Sequence, residues 1–507
     1  MSKTHSFFIL SILSFFVVNV SLFAGDKPQT NINQIFFEGA PSIHPPRVIA
    51  NYTATPFMFY IPTTGQRPME WSAEKLPKGL KLDSKTGIIT GTVASEGEYI
   101  VTLKAKNSQG TCTQKLEIHI GDDLLLTPPM GWNSWNTFGQ HLTEELVLQT
   151  ADALVANGMR DLGYSYINID DFWQLPERGA DGHIQIDKAK FPRGIKYVAD
   201  YLHERGFKLG IYSDAADKTC GGVCGSYGYE EMDAKDFASW GVDLLKYDYC
   251  NAPAGRVEAM ERYAKMGKAL RATGRSIVFS VCEWGQREPW KWAKQVGGHL
   301  WRVSGDIGDV WDREANRMGG LRGILNILEI NAPLNEYAGP SGWNDPDMLV
   351  VGIGGKSMSI GSESKGCTQE QYKSHFALWC MMASPLLCGN DVRNMDDSTL
   401  QVLLDKDLIA INQDVLGKQA ERSIRADYYD IWVKPLADGR KAVACFNRMD
   451  TPQNIELNAK TVEGLSLEQV YSLDSRSTEN AADGMIVKLA PYQCKVYICG
   501  SMNKSEG

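Results

Sequence analysis

The sequence contains no run of basic residues, and its formal net charge at pH 7 is −9. Nucleic acids and anionic membranes bind proteins through clustered lysine and arginine, so we predict neither as the main partner. Paired histidine or cysteine ligands do not accompany the acidic residues, so we expect no catalytic metal and no cofactor. A neutral substrate fits this composition better.

Two motifs are missing, and their absence argues against a serine hydrolase triad and against an EF-hand calcium site. No Gly-x-Ser-x-Gly turn opens a helix, so the sequence does not support a Ser-His-Asp triad. The acidic run from Asp306 to Asp312 lacks the spacing of an EF-hand calcium loop.

Cysteine is absent before Cys112, and the N-terminus has the layout of an export signal. Lys3 precedes an apolar run over residues 7–23, and the small pair Ala24-Gly25 follows. This pattern predicts a secretory signal peptide over residues 1–25 and an exported protein, periplasmic or secreted. A membrane anchor is the alternative. No other stretch approaches a membrane span, so we expect no anchor after cleavage.

Residues 26–122 alternate short strands with turn residues. The segment from Leu76 to Thr92 reads LPKGLKLDSKTGIITGT, an alternating strand set against a glycine turn. It resembles the pattern of bacterial immunoglobulin-like modules. We predict an Ig-like β-sandwich accessory domain here, which we interpret as a structural spacer in preference to a sugar-binding module.

Residues 123–414 alternate strands with helices at the spacing of βα units. The eight candidate strands are Met130–Trp135, Tyr164–Asp170, Lys208–Asp214, Asp243–Asp248, Ile277–Glu283, Leu300–Asp306, Gly342–Val350 and Leu386–Asn390. Both the repeat count and the length favour a (β/α)8 TIM barrel over the alternative, an open doubly wound sheet.

Helix signals lie between these strands. Thr143 is a candidate N-cap for a helix that runs to Asn157 and stops at Gly158. A second helix places one apolar stripe at Tyr372, Phe376, Trp379 and Cys380.

Residues 415–507 return to an all-β pattern. Residues 430–433 and 442–445 are apolar strands joined across a turn that contains Asp438-Gly439, and residues 495–498 end the pattern. We predict a C-terminal antiparallel β-sandwich packed on the barrel.

The ends of the candidate barrel strands are acidic, and the active sites of such barrels lie at that edge. The acids are Asp170, Asp171, Asp214, Asp248, Glu283, Asp306, Asp345 and Asp347. Converging carboxylates persist only where cations, protons or ligand hydroxyls compensate them. Lys246 and Arg302 are the nearby cations.

Tryptophans also lie close to the strand ends, at positions 132, 135, 173, 284 and 343. Each could fill the core, but as a group they predict aromatic faces for a sugar, with carboxylates accepting from its hydroxyls. Glycoside hydrolysis needs two carboxyl groups across the anomeric centre. Asp248 and Asp306 end alternate strands, and a retaining enzyme would hold them about 5 to 5.5 Å apart.

At these residues the sequence closely resembles glycoside hydrolase family 27, the α-galactosidase and α-N-acetylgalactosaminidase family, from about Pro129 to the end. The matching motifs are Pro129–Asn136 (PMGWNSWN), Asn168–Trp173 (NIDDFW), Leu245–Cys250 (LKYDYC), Cys282–Trp284 (CEW) and Trp343–Met348 (WNDPDM).

The resemblance implies a retaining exo-acting α-galactosidase in which Asp248 is the nucleophile and Asp306 the general acid/base. It further implies that Asp170, Asp171 and Lys246 hold the O4 and O6 side of galactose. Trp135 and Tyr212 would line the pocket, and Arg302 and Asp347 would surround the remaining hydroxyls.

Three alternatives stay open. Two are same-family enzymes for another sugar, an α-N-acetylgalactosaminidase or a β-L-arabinopyranosidase, and the third is a non-catalytic galactose-binding protein. Glu283 would crowd a 2-acetamido group, and arabinopyranosidases tend to alter the acidic pair that is intact here as Asp170-Asp171. Both observations favour galactose, in α-galactosides, as the carbohydrate bound.

The cysteine pattern departs from that of animal members of the family. Eleven cysteines are an odd count, so at least one is free unless it pairs between chains. Phe172 replaces one family cysteine and Cys282 lacks its usual partner. The resemblance implies a disulfide between Cys220 and Cys250, for which Cys224 could compete.

Overall fold

The computed structural model describes residues 37–314, 321–356 and 365–501. The predicted signal peptide, residues 1–25, lies outside this range. Three successive parts have their own apolar cores: an N-terminal β-sandwich, a parallel barrel and a C-terminal β-sandwich. Within the described ranges, every helix is too short or too polar to cross a membrane.

The N-terminal domain contains two larger sheets, as the alternating pattern predicts, and one short two-stranded sheet. Its strands are β1 (Ser42–Ile43), β2 (Val48–Tyr52), β3 (Pro56–Tyr60), β4 (Thr63–Thr64), β5 (Glu70–Glu74), β6 (Leu80–Leu82), β7 (Ile88–Thr92), β8 (Gly97–Asn107) and β9 (Gly110–Gly121). One sheet has the order β2-β9-β8-β5 and the other β3-β7-β6. Trp71, Ile89 and Leu103 fill the space between them.

The glycine motif of this domain has a steric cause. Gly91 has φ +140°, and a Cβ there would stand 2.0 Å from the carbonyl oxygen of Gly79. Asp83 accepts from the backbone N–H of Lys85 and Thr86, which closes the intervening turn. The LPxGLxLDxxTG pattern therefore encodes one tight hairpin.

The barrel is closed by parallel strands in consecutive order, which confirms the predicted TIM barrel and rejects the doubly wound alternative. In chain order the strands of this part are β10 (Met130–Asn133), β11 (Tyr166–Asn168), β12 (Gln174–Arg178), β13 (Ile184–Ile186), β14 (Lys208–Asp214), β15 (Leu244–Asp248), β16 (Val278–Val281), β17 (Leu300–Arg302), β18 (Trp343–Asp345) and β19 (Leu386–Cys388). β12 and β13 form a separate hairpin. The circle closes where β19 pairs with β10 and where Leu349 bridges to Cys388.

Helices surround the barrel strands. They span Trp135–Phe138, Glu144–Ala156, Ile195–His203, Glu230–Trp240, Arg256–Arg271, Ile324–Asn331, Gln369–Met381, Asp397–Leu403 and Lys406–Asn412. The predicted cap is present, since Thr143 accepts from the backbone N–H of Leu146. Thr368 and Gln371 form a capping box at the start of Gln369–Met381.

The N-terminal domain covers the end of the barrel opposite the acidic edge. Tyr52 and Leu124 pack in one apolar cluster with the first residues of five barrel strands, namely Tyr166, Leu244, Val278, Leu300 and Trp343. The hydroxyl of Tyr52 also lies 3.0 Å from Nε2 of His299. The N-terminal domain therefore packs on the end of the barrel where the strands begin and helps to bury the apolar residues there.

Asp161 makes further polar contacts across this interface. Its buried carboxylate accepts from the Tyr60 hydroxyl at 2.6 Å and from Arg67 at 2.7 Å, both on the N-terminal domain. Asp161→Ala removes the acceptor of the buried Tyr60 hydroxyl and breaks the ion pair with Arg67, so we expect a loss of about 2–3 kcal/mol in stability. A lower midpoint of thermal unfolding and faster proteolysis between the domains would show it.

The control is the exposed pair of Lys196 and Asp200, whose atoms approach to 2.8 Å on the helix surface. Asp200→Ala should change stability by less than about 0.5 kcal/mol. Equal effects of the two substitutions would contradict an anchoring role for Asp161.

The C-terminal domain pairs a large sheet with a small one, as predicted. Its strands are β20 (Glu421–Arg425), β21 (Tyr429–Pro435), β22 (Lys441–Asn447), β23 (Gln453–Leu457), β24 (Val470–Ser472), β25 (Ser477–Glu479), β26 (Met485–Leu489) and β27 (Cys494–Cys499). The predicted hairpin is β21 and β22, with Ile431 opposite Cys445. Alternate residues face two cores: Trp432 and Ala444 belong to the barrel core, and Ile431 and Val443 to the sandwich core.

Candidate active site

A cavity of about 370 Å³ opens at the carboxyl ends of the barrel strands. Most of the residues predicted from the sequence lie on its wall. The lining residues are Trp135, Asp170, Asp171, Tyr212, Cys220, Lys246, Asp248, Trp284, Gln286, Gly305, Asp306 and Arg322. The two proposed catalytic carboxyl groups, on Asp248 and Asp306, thus face the same space.

One side of the cavity is an ion pair between strands. Lys246 on β15 donates to Asp170 at 2.8 Å, and Asn133 at the end of β10 donates to the same carboxylate oxygen at 2.9 Å. Asp171 accepts from the backbone N–H of Gly221 at 2.8 Å. Burial raises the pKa of Asp171. These groups present fixed charges and acceptors to a polar ligand.

Asp248 ends β15 and is 4% exposed. One oxygen accepts from the Tyr212 hydroxyl at 3.0 Å, and the other accepts from the backbone N–H of Tyr249 at 3.0 Å. Burial raises the pKa of Asp248 to about 6; Lys246 opposes the shift and Asp306 adds to it. The carboxyl group is thus oriented by two donors, and its pKa lies above the usual range for aspartate.

A disulfide braces the loops on either side of Asp248. It joins Cys220 to Cys250, with their Cα atoms 5.1 Å apart, and the other described cysteines, including Cys224 and Cys282, are free. Asp214, fully buried at the end of β14, accepts from the backbone N–H of Cys250. Two carboxyl groups and both sulfur atoms converge here, but sulfur atoms in a disulfide are not thiolate ligands for a metal.

Asp306 lies four residues beyond β17, not at the end of the strand as its predicted bounds implied. Its side chain is 42% exposed and accepts from Arg302 at 3.0 Å. Arg302 also contacts Asp347 at 2.9 Å, and Asp347 accepts from the backbone N–H of Ile307 at 2.8 Å. Arg302 and Asp347 therefore form a buried support behind Asp306.

Glu283 lies behind the cavity wall. It is fully buried, and one carboxylate oxygen accepts from the backbone and the guanidinium of Arg287 at 2.8 and 3.0 Å. Among the described residues, nothing donates to its other oxygen. Burial raises the pKa of Glu283 to about 7, and Arg287 opposes the shift.

The expectation that five tryptophans face a sugar was wrong for three of them. Trp132, Trp173 and Trp343 are completely buried and donate to backbone carbonyls of Asn390, Tyr212 and Leu125. In the described part of the chain, the tryptophans on the cavity wall are Trp135 and Trp284. The period of the strands points alternate side chains into the core, which the sequence positions alone did not separate.

Phe172 fills the place of the family cysteine. Its ring is parallel to that of Trp135, with centroids 6.2 Å apart, and a Cβ on Gly221 would come within 2.4 Å of it. Sequence reasoning missed this contact and also missed Asn133, Gln286 and Arg322. Their only sequence signal is their position: Asn133 ends β10, and Gln286 and Arg322 lie in the loops after β16 and β17.

Comparison with known proteins agrees with this architecture. A family model described as alpha galactosidase A matches residues 127–414, an Ig-domain model matches 40–121, and a model of the alpha galactosidase C-terminal beta sandwich domain matches 426–498.

Individual relatives extend the match. The chain is 48% identical to alpha-galactosidase A of Cellvibrio japonicus over 330 residues, 65% of this chain and 78% of that one. It is 41% identical to the alpha-galactosidase of Cyamopsis tetragonoloba over 80% of this chain and 94% of that one. A Bacteroides fragilis structure described provisionally as an alpha-galactosidase has 79% identity and a TM-score of 0.90, covering 92% of this chain and 99% of that one. The chain therefore belongs to glycoside hydrolase family 27, the α-galactosidase family.

Proposed function

We propose that the protein is a retaining exo-α-galactosidase that removes terminal α-linked galactose from oligosaccharides or polysaccharide side chains. The observation that carries the proposal is one cavity containing both Asp248, buried and oriented, and Asp306, exposed and backed by Arg302. Membership of the α-galactosidase family supports the choice of sugar.

The first step uses both carboxyl groups. The Asp248 carboxylate attacks the anomeric carbon while Asp306 gives its proton to the glycosidic oxygen, and the bond between that carbon and oxygen breaks. In the second step Asp306, now ionised, takes a proton from water. The water oxygen displaces Asp248, which frees galactose and returns both groups to their starting states.

The surrounding residues suit galactose. Asp170 and Asp171 offer acceptors and Lys246 a donor on one side of the cavity, which we assign to O4 and O6. Trp135 provides an aromatic face. Arg302 and Asp347 lie behind Asp306, which Arg302 contacts, and we propose that they act on the remaining hydroxyls.

Specificity against N-acetylgalactosamine is assigned to Glu283. Its buried side chain lies behind the cavity wall and is held by Arg287, and we propose that it occupies the space that a 2-acetamido group would need. The intact pair of Asp170 and Asp171 provides groups for the exocyclic CH₂OH that an arabinopyranoside lacks.

The test compares p-nitrophenyl α-D-galactopyranoside, α-N-acetylgalactosaminide and β-L-arabinopyranoside under one set of conditions. We expect the galactoside to have the highest kcat/KM and proton NMR to show α-galactose as the first product. A higher kcat/KM for either other glycoside would reassign the sugar. Binding of galactose without turnover of any glycoside would support the alternative of a non-catalytic galactose-binding protein.

We further propose the domain limits 26–122, 123–414 and 415–507, which the matched ranges and the strand positions support. Residues 1–25 are proposed as a cleaved signal peptide for export to the periplasm or beyond, on the pattern of Lys3 and the apolar run after it.

A further inference from the structure

Asp347 holds the segment that carries Asp306 in two ways. One oxygen of its carboxylate contacts Arg302 at 2.9 Å and accepts from the backbone N–H of Ile307 at 2.8 Å. Arg302 in turn donates to Asp306 at 3.0 Å, and Ile307 is the residue after Asp306 in the chain. The position of Asp347 therefore sets both the side chain and the backbone of Asp306.

The backbone of Asp347 has a conformation that aspartate adopts infrequently. Its φ is +77°, in the left-handed region, where a residue with a Cβ stays when its surroundings hold it. Its N–H donates to the carboxylate of Asp345 at 2.9 Å, and the backbone N–H of Met348 donates to its own carboxylate at 2.8 Å. Its carbonyl oxygen accepts from the indole Nε1 of Trp379 at 3.0 Å. Asp345 and Met348 belong to the same segment, whereas Trp379 reaches it from a separate helix.

That helix is Gln369–Met381, and it contacts the segment after β18 at a second point. Nε2 of His375 accepts from the backbone N–H of Val350 at 3.2 Å. The His375 ring also packs edge to face on the completely buried ring of Trp379, with centroids 4.1 Å apart. Burial lowers the pKa of His375 to about 3, so at neutral pH the imidazole is uncharged and Nε2 can accept. The helix therefore fixes the carbonyl of Asp347 and the N–H of Val350 together.

We infer that Trp379 is a positioning residue for the acid/base Asp306, with His375 as its support. The indole N–H keeps Asp347 in the left-handed conformation, and without it the segment can relax and carry the Asp347 carboxylate away from its two partners beside Asp306. Proton transfer to the leaving oxygen depends closely on where Asp306 lies, whereas attack by Asp248 depends on it less. The inference rests on the proposed function.

The experiment measures kcat/KM of Trp379→Phe on two galactosides, together with thermal unfolding. Phenylalanine keeps a buried ring but cannot donate to the Asp347 carbonyl. Methyl α-D-galactopyranoside needs a proton on its leaving oxygen, and 2,4-dinitrophenyl α-D-galactopyranoside needs little help. We expect kcat/KM to fall about 10-fold on the methyl galactoside and less than about 2-fold on the dinitrophenyl galactoside. A simple loss of folded enzyme would lower both values equally.

Trp343→Phe is the matched control. Trp343 is also completely buried, and its indole donates to a backbone carbonyl, that of Leu125, at 2.7 Å at the opposite end of the barrel. This variant makes the same chemical change far from Asp306. It should lower the thermal midpoint but leave kcat/KM on both galactosides near the values of the unmodified enzyme below the unfolding temperature.

Two variants of His375 test the inference independently, so it stays testable if Trp379→Phe does not fold. His375→Gln keeps an acceptor for the Val350 N–H, and His375→Leu does not. The leucine variant should therefore lose activity on the methyl galactoside selectively, and the glutamine variant should retain most of it. Equal losses on both galactosides, or no loss on either, would overturn the positioning role. No activity of the unmodified enzyme on either galactoside would instead overturn the proposed function.

Discussion

Asp248→Asn is expected to lower kcat/KM for an aryl α-galactoside by about 10⁴-fold or more, because removal of a nucleophile abolishes the covalent route. The asparagine keeps the size of the side chain and can still accept from the Tyr212 hydroxyl, so the cavity should persist. Steady-state rates with the aryl galactoside, measured beside thermal unfolding, test this expectation.

Asp243, at the opposite end of β15 from Asp248, is the matched control. Asp243 immediately precedes β15, is buried, and binds His203 at 2.8 Å and Arg275 at 2.6 Å. Asp243→Asn should lower the thermal midpoint but retain most of the activity at temperatures below unfolding, since Asp243 does not reach the cavity. Inactivation by Asp248→Asn with a preserved thermal midpoint would therefore be chemical in origin.

A second measurement assigns the role directly. In Asp248→Ala, azide can enter the space left by the carboxylate and attack the anomeric carbon from the same face. We expect partial recovery of turnover and β-galactosyl azide as the product. Activity close to that of the unmodified enzyme without azide would rule out Asp248 as nucleophile.

The pH dependence of the unmodified enzyme should also reflect the ionisation of Asp248. The nucleophile must be ionised, and burial raises the pKa of Asp248 to about 6. The ionised fraction therefore falls as the pH drops through about 6, and kcat/KM should fall with it.

The barrel was predictable because its signals are local and repeated. Most barrel strands are short apolar runs with an acid at or just beyond their end, and several helices have a start signal, such as the Thr143 cap. An error of a few residues at one strand end, as for the strand before Asp306, does not change the order or the direction of the strands. The sequence motifs that contain Asp248 and Asp306 indicated two carboxyl groups at the same edge of the barrel, and both line the cavity there.

The shape of the cavity was less predictable because it depends on contacts between distant loops. Trp132 and Trp135 are three residues apart, yet one is buried and the other lines the cavity. Glu283 turns behind the wall because Arg287 binds it, and Arg322 joins the wall because its backbone pairs with Asp306 across the intervening loop. Such positions follow from packing between elements, which periodicity does not encode.

Asp306→Asn should have an effect that depends on the leaving group. With methyl α-D-galactopyranoside the departing oxygen needs a proton, so we expect kcat/KM to fall by about 10²–10⁴-fold. With 2,4-dinitrophenyl α-D-galactopyranoside the departing oxygen needs little help, so kcat/KM should fall much less. The two rates together measure acid catalysis separately from binding.

The second half of the reaction gives the stricter test. Without Asp306 as base, water attacks the glycosyl-enzyme slowly, so the activated substrate should release a burst of dinitrophenol and show a lower KM. Azide needs no base and should speed this step, with α-galactosyl azide as the product. Arg302 keeps its ion pair with Asp347 at 2.9 Å in this variant, so the support of the site remains. Equal losses on both substrates, with no burst and no effect of azide, would remove Asp306 from the acid/base role.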